Sequence, residues 1–403
     1  MYLHIARRMS KVQSSLIREI AEAANKPGVI SFANGNPGND TYRPELFSQF
    51  VAEGFAEEPL TLCRYGNSLG YEPLRKALMK YLTKRWGIDF MNNEILITAG
   101  SQQSCDYITK TLLDENNVVI AEEPSYASCY NTFRSYYGAL AGVPMEEDGM
   151  SIEILEKAIL ANPNARIIYV IPNFQNPTGN TYSLEKRREI YALAKKYDLT
   201  IFEDDPYCEL RFEGKDIPPI KSLDLDGRVL YGGSFSKTVA PGLRVGFLVF
   251  HKELEARIIV AKQVTDVHTG MINQYIAYRC LISGFPEHLK KCRELYRHKR
   301  DVMIQRLAEK APEGLSWNHP EGGLFLMVTF PKGFNTYEFA FEAIRNGVAT
   351  IPGAGFYIDQ NTARNTLRIC YSTSSDEEIL AGVDALCSSA EIWLSNKGFQ
   401  VKQ

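Results

Sequence analysis

Residues 232–246 read GGSFSKTVAPGLRVG. An apolar run at 228–231 precedes them, and a second one, at 245–250, begins with their last two residues. Apolar runs of this length are typical of strands that are buried on both faces of a sheet. The loop between them carries two serines, Lys237, a Pro-Gly pair and Arg244. Because a lysine between two core strands is poorly placed for solvation, the loop predicts a binding or catalytic site.

The residue types in this loop suit both a phosphate and an aldehyde. Ser234 and Ser236 offer hydroxyl donors, and Arg244 offers a planar charged fork that matches phosphate oxygens. Lys237 offers a primary amine, which condenses with aldehydes. Pyridoxal 5′-phosphate (PLP) carries both groups, so the loop predicts a PLP site. Taken alone, the same residues also fit a surface turn with one exposed lysine.

The composition is that of a globular protein with large cores. The chain has 403 residues, 45% hydrophobic and 23% charged, with a net charge of −3. This length suggests two or three domains, and this charge gives no indication of nucleic-acid or membrane binding. The sequence contains no apolar run long enough to span a bilayer and no signal-peptide core at its N-terminus. Eight scattered cysteines and six histidines without ligand spacing predict reduced thiols, no metal and a cytoplasmic location.

Strands and helices alternate from residue 95 onward. Apolar runs at 95–97, 118–121, 167–171 and 200–202 are each followed by a polar motif. This order predicts an α/β fold, with a mostly parallel sheet of the seven-stranded type and helices on both faces. After a helical region, further strands indicate a second, smaller α+β domain. Because ligands of parallel sheets bind at the carboxyl ends of the strands, we expect the polar motifs to converge there.

Two of these motifs allow a local interpretation as well as a functional one. Ser101 and Gln102 follow Gly100 between a strand and a helix, where free amides and the helix dipole suit a phosphate; an ordinary helix cap is the alternative. Asn176, in Asn-Pro-Thr-Gly, is either part of a turn or an amide donor to the phenolate oxygen of PLP.

Aromatic and charged residues add a second set of candidates. Asp204 is either a strand-end cap or the carboxylate that keeps the pyridine nitrogen of PLP protonated, with Tyr207 bonded to the phenolate oxygen. Tyr126 either fills the core or stacks on the cofactor ring. Arg368 interrupts an apolar strand, and a substrate carboxylate is the bidentate partner that such a buried arginine needs.

Together, these motifs resemble the class I/II aminotransferases of PLP fold type I over essentially the whole chain. Residues 234–246 match the pattern S-x-S-K-x-x-x-P-G-x-R-x-G. Within the family the chain looks most similar to the 2-aminoadipate/kynurenine aminotransferase branch, which is related to the catalytic domain of MocR-type regulators. The likeness is carried by SLIRE (15–19), RYGNSLG (64–70), GSQQ (100–103), EDDPY (203–207) and PEGGLF (320–325).

The resemblance implies an enzyme that moves an amino group between an L-amino acid and a 2-oxo acid such as 2-oxoglutarate, with ping-pong kinetics. Lys237 would bind PLP and move the substrate proton, while Arg368 and Asn176 hold the α-carboxylate beside Gly35. The resemblance also implies a homodimer in which Tyr65 reaches the cofactor phosphate of the neighbouring subunit. Residues 43–290 would form the large PLP-binding domain, and 1–42 with 291–403 the small domain.

Alternatives remain open at this point. A different PLP reaction, catalysed by a β-lyase or a decarboxylase, is compatible with these residues. A PLP-sensing regulator is less expected, because the chain starts directly at the aminotransferase-like segment. Arg18, on a helix predicted over 10–24, is either a solvated side chain or a ligand for the distal carboxylate of an acidic donor. Acidic, aromatic and aliphatic donors are all compatible with the sequence.

Overall fold

The computed structural model describes residues 4–12, 16–24, 26–362 and 364–396, without the side chains of residues 16–18 and 21. In this part of the chain the α-helices are α1 Leu16–Ala24, α2 Pro44–Glu57, α3 Pro59–Cys63, α4 Glu72–Trp86, α5 Ser101–Leu112, α6 Ala127–Ser135, α7 Ile152–Ala161, α8 Leu184–Lys196, α9 Glu255–Gln263, α10 Met271–Ile282, α11 Phe285–Lys310, α12 Thr336–Arg345 and α13 Asp376–Asn396. The strands in the same ranges are β1 Ile30–Ser31, β2 Asn93–Thr98, β3 Val118–Glu123, β4 Ala139–Glu146, β5 Gly149–Met150, β6 Ala165–Val170, β7 Thr200–Asp204, β8 Val229–Ser234, β9 Gly246–His251, β10 Ser316–Trp317, β11 Phe325–Thr329, β12 Val348–Ala349, β13 Ile351–Pro352 and β14 Thr366–Cys370.

The central sheet of the described chain has eight strands, in the order β2-β9-β8-β7-β6-β3-β4-β5. Strands β8, β7, β6, β3 and β4 run parallel, whereas β9 is antiparallel to both of its neighbours. Strand β5 adds only a two-residue edge to the seven longer strands. The predicted α/β fold with a mostly parallel sheet of the seven-stranded type is therefore confirmed.

Alternate residues of the parallel strands face opposite layers of the core. Ile167, Tyr169 and Phe202 pack in one cluster, whereas Ile168 and Ile201 pack in another, and all five side chains are fully buried. Burying one large apolar side chain contributes about 1.5–3 kcal/mol. Strands buried on both faces in this way hold the polar residues at their ends in fixed positions.

A second sheet, β10-β11-β14-β13, is antiparallel and lies in the C-terminal part of the chain. The N-terminal strand β1 pairs in parallel with β12, where Ile30 lies opposite Val348. Helix α1 adds Ile20 to a buried cluster that also contains Ile344. This packing brings both ends of the chain together, and the predicted division into two domains at 43 and 290 stays a prediction.

The described part of helix α1 is Leu16–Ala24, and a 3-10 turn at Arg7–Lys11 includes the residues where the helix predicted over 10–24 would start. Within the described ranges, no helix combines the length and apolarity that crossing a membrane requires. The same ranges contain no group of three or more histidine, cysteine, aspartate or glutamate side chains that could hold a metal ion.

Candidate active site

The residues at the carboxyl ends of β3, β6, β7 and β8 converge on a cavity of about 380 Å³. Its lining includes the predicted site residues Gly35, Ser101, Gln102, Tyr126, Asn176, Asp204, Tyr207, Ser234, Ser236, Lys237, Arg244 and Arg368. One described residue of the predicted site, Tyr65, is not part of this lining. Tyr65 lies elsewhere on the surface, and the side chain of Arg18 lies outside the described residues.

Lys237 lies in the turn that follows β8, and its Nζ donates a hydrogen bond of 2.7 Å to the backbone oxygen of Gly35. Burial lowers the pKa of the amine to about 8, and Arg368 and Arg244 act in the same direction. At this pKa an appreciable fraction of the amine is neutral near pH 7–8. The neutral form is the one that acts as a nucleophile or a base.

One corner of the cavity forms where helix α5 begins at Ser101. Gly100 has a φ of +87°, and a Cβ at this position would lie 2.5 Å from Nη2 of Arg244. The guanidinium is therefore packed directly over the N-terminus of α5, where free amides favour an anion. The Oγ of Ser234 accepts a hydrogen bond from the amide of Ser236 at 3.0 Å, and both serines line the same cavity.

Asp204 is the last residue of β7 and is 3% exposed. Its Oδ2 accepts a hydrogen bond of 3.2 Å from the hydroxyl of Tyr169, whereas its Oδ1 accepts none from the described residues. Burial raises the pKa of Asp204 to about 7, and the Tyr169 hydroxyl acts in the opposite direction. A buried carboxylate oxygen without a donor is costly, so this atom fits a ligand that brings an N–H group.

Arg368, in the middle of β14, is 4% exposed and presents its guanidinium to the cavity. Its Nη1 donates to Oδ1 of Asn176 at 2.9 Å, and its Nη2 donates to the backbone oxygen of Ala33. The guanidinium carbon lies 4.4 Å from the ring centroid of Phe325 and 4.9 Å from that of Phe356. Among the described residues, no carboxylate forms an ion pair with Arg368, and burial lowers its pKa. The site therefore holds a fixed cation that suits a ligand carboxylate.

Two predicted residues take orientations that the sequence did not indicate. The Nε2 of Gln102 donates to Oγ1 of Thr132 at 2.6 Å, so its amide is partly directed toward α6. Tyr207 is 4% exposed and packs edge-on against Phe325 at 5.8 Å, with a pKa that burial raises. Tyr126 is partly buried and lines the cavity.

Tyr65 lies between α3 and α4 and is 89% exposed. Its ring contacts His268 edge-on at 5.9 Å. Tyr65 and Arg64 line a separate surface cavity of about 570 Å³. Its phenol is therefore exposed on the surface of its own subunit.

Sequence reasoning did not find every residue of the cavity. Phe325, Ile171, Pro206 and Ser128 also line it. Phe325 contacts both Arg368 and Tyr207, yet it lies in an apolar strand where a phenylalanine is ordinary. Its position in PEGGLF was noted only as part of a family resemblance, and no local signal distinguished it from a core residue.

The fold and the cavity define a PLP-dependent enzyme of fold type I, and comparison with known proteins supplies the family. The profile of the family described as "Aminotransferase class I and II" matches residues 27–386. The chain belongs to this family, and it is a PLP-dependent aminotransferase.

Individual relatives are similar over nearly their full length. Aromatic-amino-acid aminotransferase 1 of Thermococcus litoralis is 33% identical over 383 residues, covering 94% of this chain and 92% of that protein. The 2-aminoadipate transaminase of Thermus thermophilus is 35% identical over 379 residues, covering 93% of this chain and 94% of that protein. The structure of Pyrococcus horikoshii kynurenine aminotransferase in complex with PMP has a TM-score of 0.93 and 34% identity, and the match covers 97% of both chains. Helix-turn-helix regulators are also relatives, which confirms the predicted link to regulators of this kind.

The residues present fit PLP. The unpaired Oδ1 of Asp204 suits a ring N–H group, the corner at Gly100 and Arg244 suits a phosphate, and Lys237 suits an aldehyde. When bound, PLP supplies an electron sink that makes the Cα–H bond of an amino acid acidic. The chain itself places an amine, two arginines and a carboxylate in the wall of this cavity.

Proposed function

We propose that this enzyme transfers the α-amino group of an L-amino acid to 2-oxoglutarate with ping-pong kinetics, and that Arg368 and Asn176 hold the α-carboxylate of both substrates. One observation carries the proposal. The guanidinium of Arg368 is buried in the cavity wall, is oriented by Asn176 and two aromatic rings, and has no described carboxylate as a partner. Amino acids and 2-oxo acids share an α-carboxylate, which one bidentate site can bind in both half-reactions.

The remaining cavity residues have separate proposed roles toward the cofactor. Asp204 would pair with the ring nitrogen, and Tyr126 would stack on the ring. Asn176 and Tyr207 would donate to the phenolate oxygen. The phosphate would be held by Ser101, Gln102, Ser234, Ser236 and Arg244. Gly35, whose carbonyl accepts from Lys237, would border the substrate.

Lys237 is the group that moves the proton. Its amine, with a pKa lowered to about 8, can take a proton from the substrate Cα and, with PLP bound, would deliver it to the aldehyde carbon (C4′) of the cofactor. Its hydrogen bond to Gly35 keeps the amine at the cavity wall until a ligand displaces it. Because the comparisons give aminotransferases, no finding favours the β-lyase, decarboxylase or regulator alternatives.

The test of the carboxylate site is Arg368→Lys, assayed with a panel of L-amino acids and with 2-oxoglutarate. A lysine keeps the charge but loses the bidentate fork, a difference worth about 1.5–3 kcal/mol for a charged hydrogen bond. We expect the KM of every donor and of the acceptor to rise by about 10- to 150-fold. An unchanged KM for all substrates would contradict the proposed carboxylate site.

The same panel identifies the donor. The relatives are named for aromatic amino acids and for 2-aminoadipate, so aromatic and acidic donors are the first candidates. Arg18, if it binds a distal carboxylate, makes the acidic donors sensitive to Arg18→Gln while leaving aromatic donors unaffected. A uniform loss across all donors would assign Arg18 to holding helix α1.

We further propose a homodimer in which Tyr65 reaches the cofactor phosphate of the neighbouring subunit. An 89% exposed tyrosine in its own subunit supports this arrangement, because its phenol is free to contact a second chain. The reduced state of all eight cysteines supports a cytoplasmic location. The division into a large domain (43–290) and a small domain (1–42 with 291–403) is part of the same proposal.

Tyr65→Phe removes only the phenolic oxygen. We expect PLP affinity to fall by about 10- to 150-fold, because a hydrogen bond to a charged group contributes about 1.5–3 kcal/mol. The measurement is the PLP dissociation constant, with the assembly state followed by light scattering. Tyr197→Phe, which removes a phenol bonded to Glu156 far from the cavity lining, is the matched control. Equal PLP affinity in the Tyr65 variant and the wild type would rule out this contact.

A further inference from the structure

A buried carboxylate lies behind the cavity, between two of its loops. Glu122, near the end of β3, is fully buried. We call residues 122–126, which comprise the last two residues of β3 and the three that follow, the Glu122 loop. The Asn176 loop, residues 171–178, follows β6. The backbone of Glu122 also accepts a hydrogen bond from the Tyr130 hydroxyl.

Four neutral groups donate hydrogen bonds to the Glu122 carboxylate. Its Oε1 accepts from Ser125 Oγ at 2.8 Å and from Gln175 Nε2 at 2.9 Å. Its Oε2 accepts from Tyr182 OH at 2.6 Å and from the Ile171 amide at 3.1 Å. No lysine or arginine in the described chain forms an ion pair with it. A buried carboxylate without a cation is stable only when donors saturate its oxygens, and here they do.

One route connects Glu122 to the proposed carboxylate site through the Asn176 loop. Gln175 donates both to Glu122 and to the backbone oxygen of Pro124 at 2.8 Å. Its Oε1 accepts from the amide and the hydroxyl of Thr178, at 2.9 and 2.8 Å. Gln175 therefore ties the segment 175–178 to the Glu122 loop. Asn176, inside that segment, accepts the hydrogen bond from Arg368.

A second route runs through the Glu122 loop itself. Ser125 donates its hydroxyl to Glu122 and its amide to the backbone oxygen of Phe356 at 2.9 Å. The ring of Phe356 lies 4.9 Å from the guanidinium carbon of Arg368. Both the hydrogen-bond partner and one aromatic partner of Arg368 are thus anchored to the same carboxylate.

We propose that Glu122 is a positioning residue for amino transfer, which fixes the two loops so that Arg368 and Asn176 are preorganised for the α-carboxylate of both substrates. The inference rests on the proposed role of Arg368. Glu122 acts through other groups and does not itself line the cavity.

Glu203 provides the comparison that separates this role from ordinary burial. It is also fully buried near the end of a parallel strand, and burial raises the pKa of both carboxyls to about 7. Glu203, however, accepts from the backbone amides of Ile220 and Lys221, at 2.7 and 2.8 Å, and neither residue lines the cavity. The two glutamates therefore differ mainly in their partners: Glu122 binds the Asn176 loop, whereas Glu203 binds residues 220–221, which do not line the cavity.

Glu122→Gln is the decisive variant, because it keeps the shape and changes one acceptor into a donor. The hydroxyls of Ser125 and Tyr182 can turn to accept from an NH₂ group. The Ile171 amide cannot accept, and Gln175 is oriented as a donor by its bonds to Thr178. Whichever way the new amide turns, at least one bond between the loops is lost.

In Glu122→Gln we expect the KM of both the amino donor and 2-oxoglutarate to rise about tenfold, with kcat changed less than about threefold. Hydrogen exchange of the Ile171 and Thr178 amides should become faster, which is a readout independent of activity. In Glu203→Gln, the matched control, both KM values and these exchange rates should stay at wild-type values. A KM unchanged in Glu122→Gln, or raised equally in Glu203→Gln, would overturn the inference.

Gln175→Met keeps the test decisive even if Glu122→Gln fails to fold. It removes the amide that links the loops and leaves Glu122 with three donors. We expect the same tenfold rise in KM, and in the double variant a rise well below the product of the two single effects, because both variants weaken the same connection between the two loops. Wild-type KM values in Gln175→Met would refute the positioning role. Arg368→Lys distinguishes the proposed carboxylate site from its proposed positioning by Glu122. If this variant raises KM while the Glu122 and Gln175 variants do not, the carboxylate site stands and only the positioning role fails.

Discussion

Lys237→Ala should retain PLP but lose turnover, with kcat reduced by about 10⁴-fold or more. This is the upper end of what a positioned proton-transfer group supplies, and the variant also loses the one lysine amine that the described residues bring to the cavity lining. The measurements are steady-state kcat and the amount of PLP that remains with the protein after dialysis.

Lys237→Arg tests whether turnover requires the positive charge at this position or the ability of the side chain to release and take up a proton. A guanidinium keeps the positive charge but stays protonated at every accessible pH, so it cannot act as a base. We expect it to be as inactive as the alanine variant. Turnover near the wild-type rate in either variant would remove Lys237 from the reaction.

Asp204→Asn should keep the fold and lower kcat by about 10²- to 10³-fold, the usual loss when one preorganised charge is removed from an active site. A neutral amide cannot hold a ring nitrogen in its protonated form. The decrease should persist across the pH range, because no other described carboxylate lines the cavity. The measurement is kcat against pH, with the melting temperature showing that the fold is intact.

Asp205→Asn is the matched control for this variant. Asp205 is the next residue, is 2% exposed, and accepts from Asn173 at 2.9 and 3.0 Å and from Tyr231 at 3.2 Å. Asp205 does not line the active-site cavity. We expect a lower melting temperature with kcat within a few-fold of wild type. Equal kcat losses in both variants would mean that Asp204 acts only through the packing of this strand end.

The sequence indicated the parallel strands and the motifs at their ends because each signal is local. Asp204 follows a run of apolar residues, and Ser101 follows a strand and a glycine. Once the strands are parallel, geometry brings these ends to one edge of the sheet. The same reasoning could not give the strand order, since the antiparallel position of β9 between β2 and β8 depends on contacts distant in the chain.

The direction of individual side chains also could not be predicted from the local sequence. Gln102 was predicted from its place at a helix start, yet its amide donates to Thr132. Glu122 directly follows the apolar run at 118–121, and only the structure shows four donors around its carboxylate. A helix start at residue 10 was predicted because Ser10 is a plausible cap, but residues 7–11 form a 3-10 turn.

The pairing of β1 with β12 joins residues from opposite ends of the chain, and Lys237, in the middle of the chain, contacts Gly35 near its N-terminal end. During synthesis the large sheet can form while the C-terminal third is still missing, because domains generally fold as units. Arg368, in β14, is synthesised well after His251, which ends the last strand of the large sheet. The cavity is therefore completed later than the sheet, and a nascent chain can assemble the cofactor loop well before it can bind a substrate.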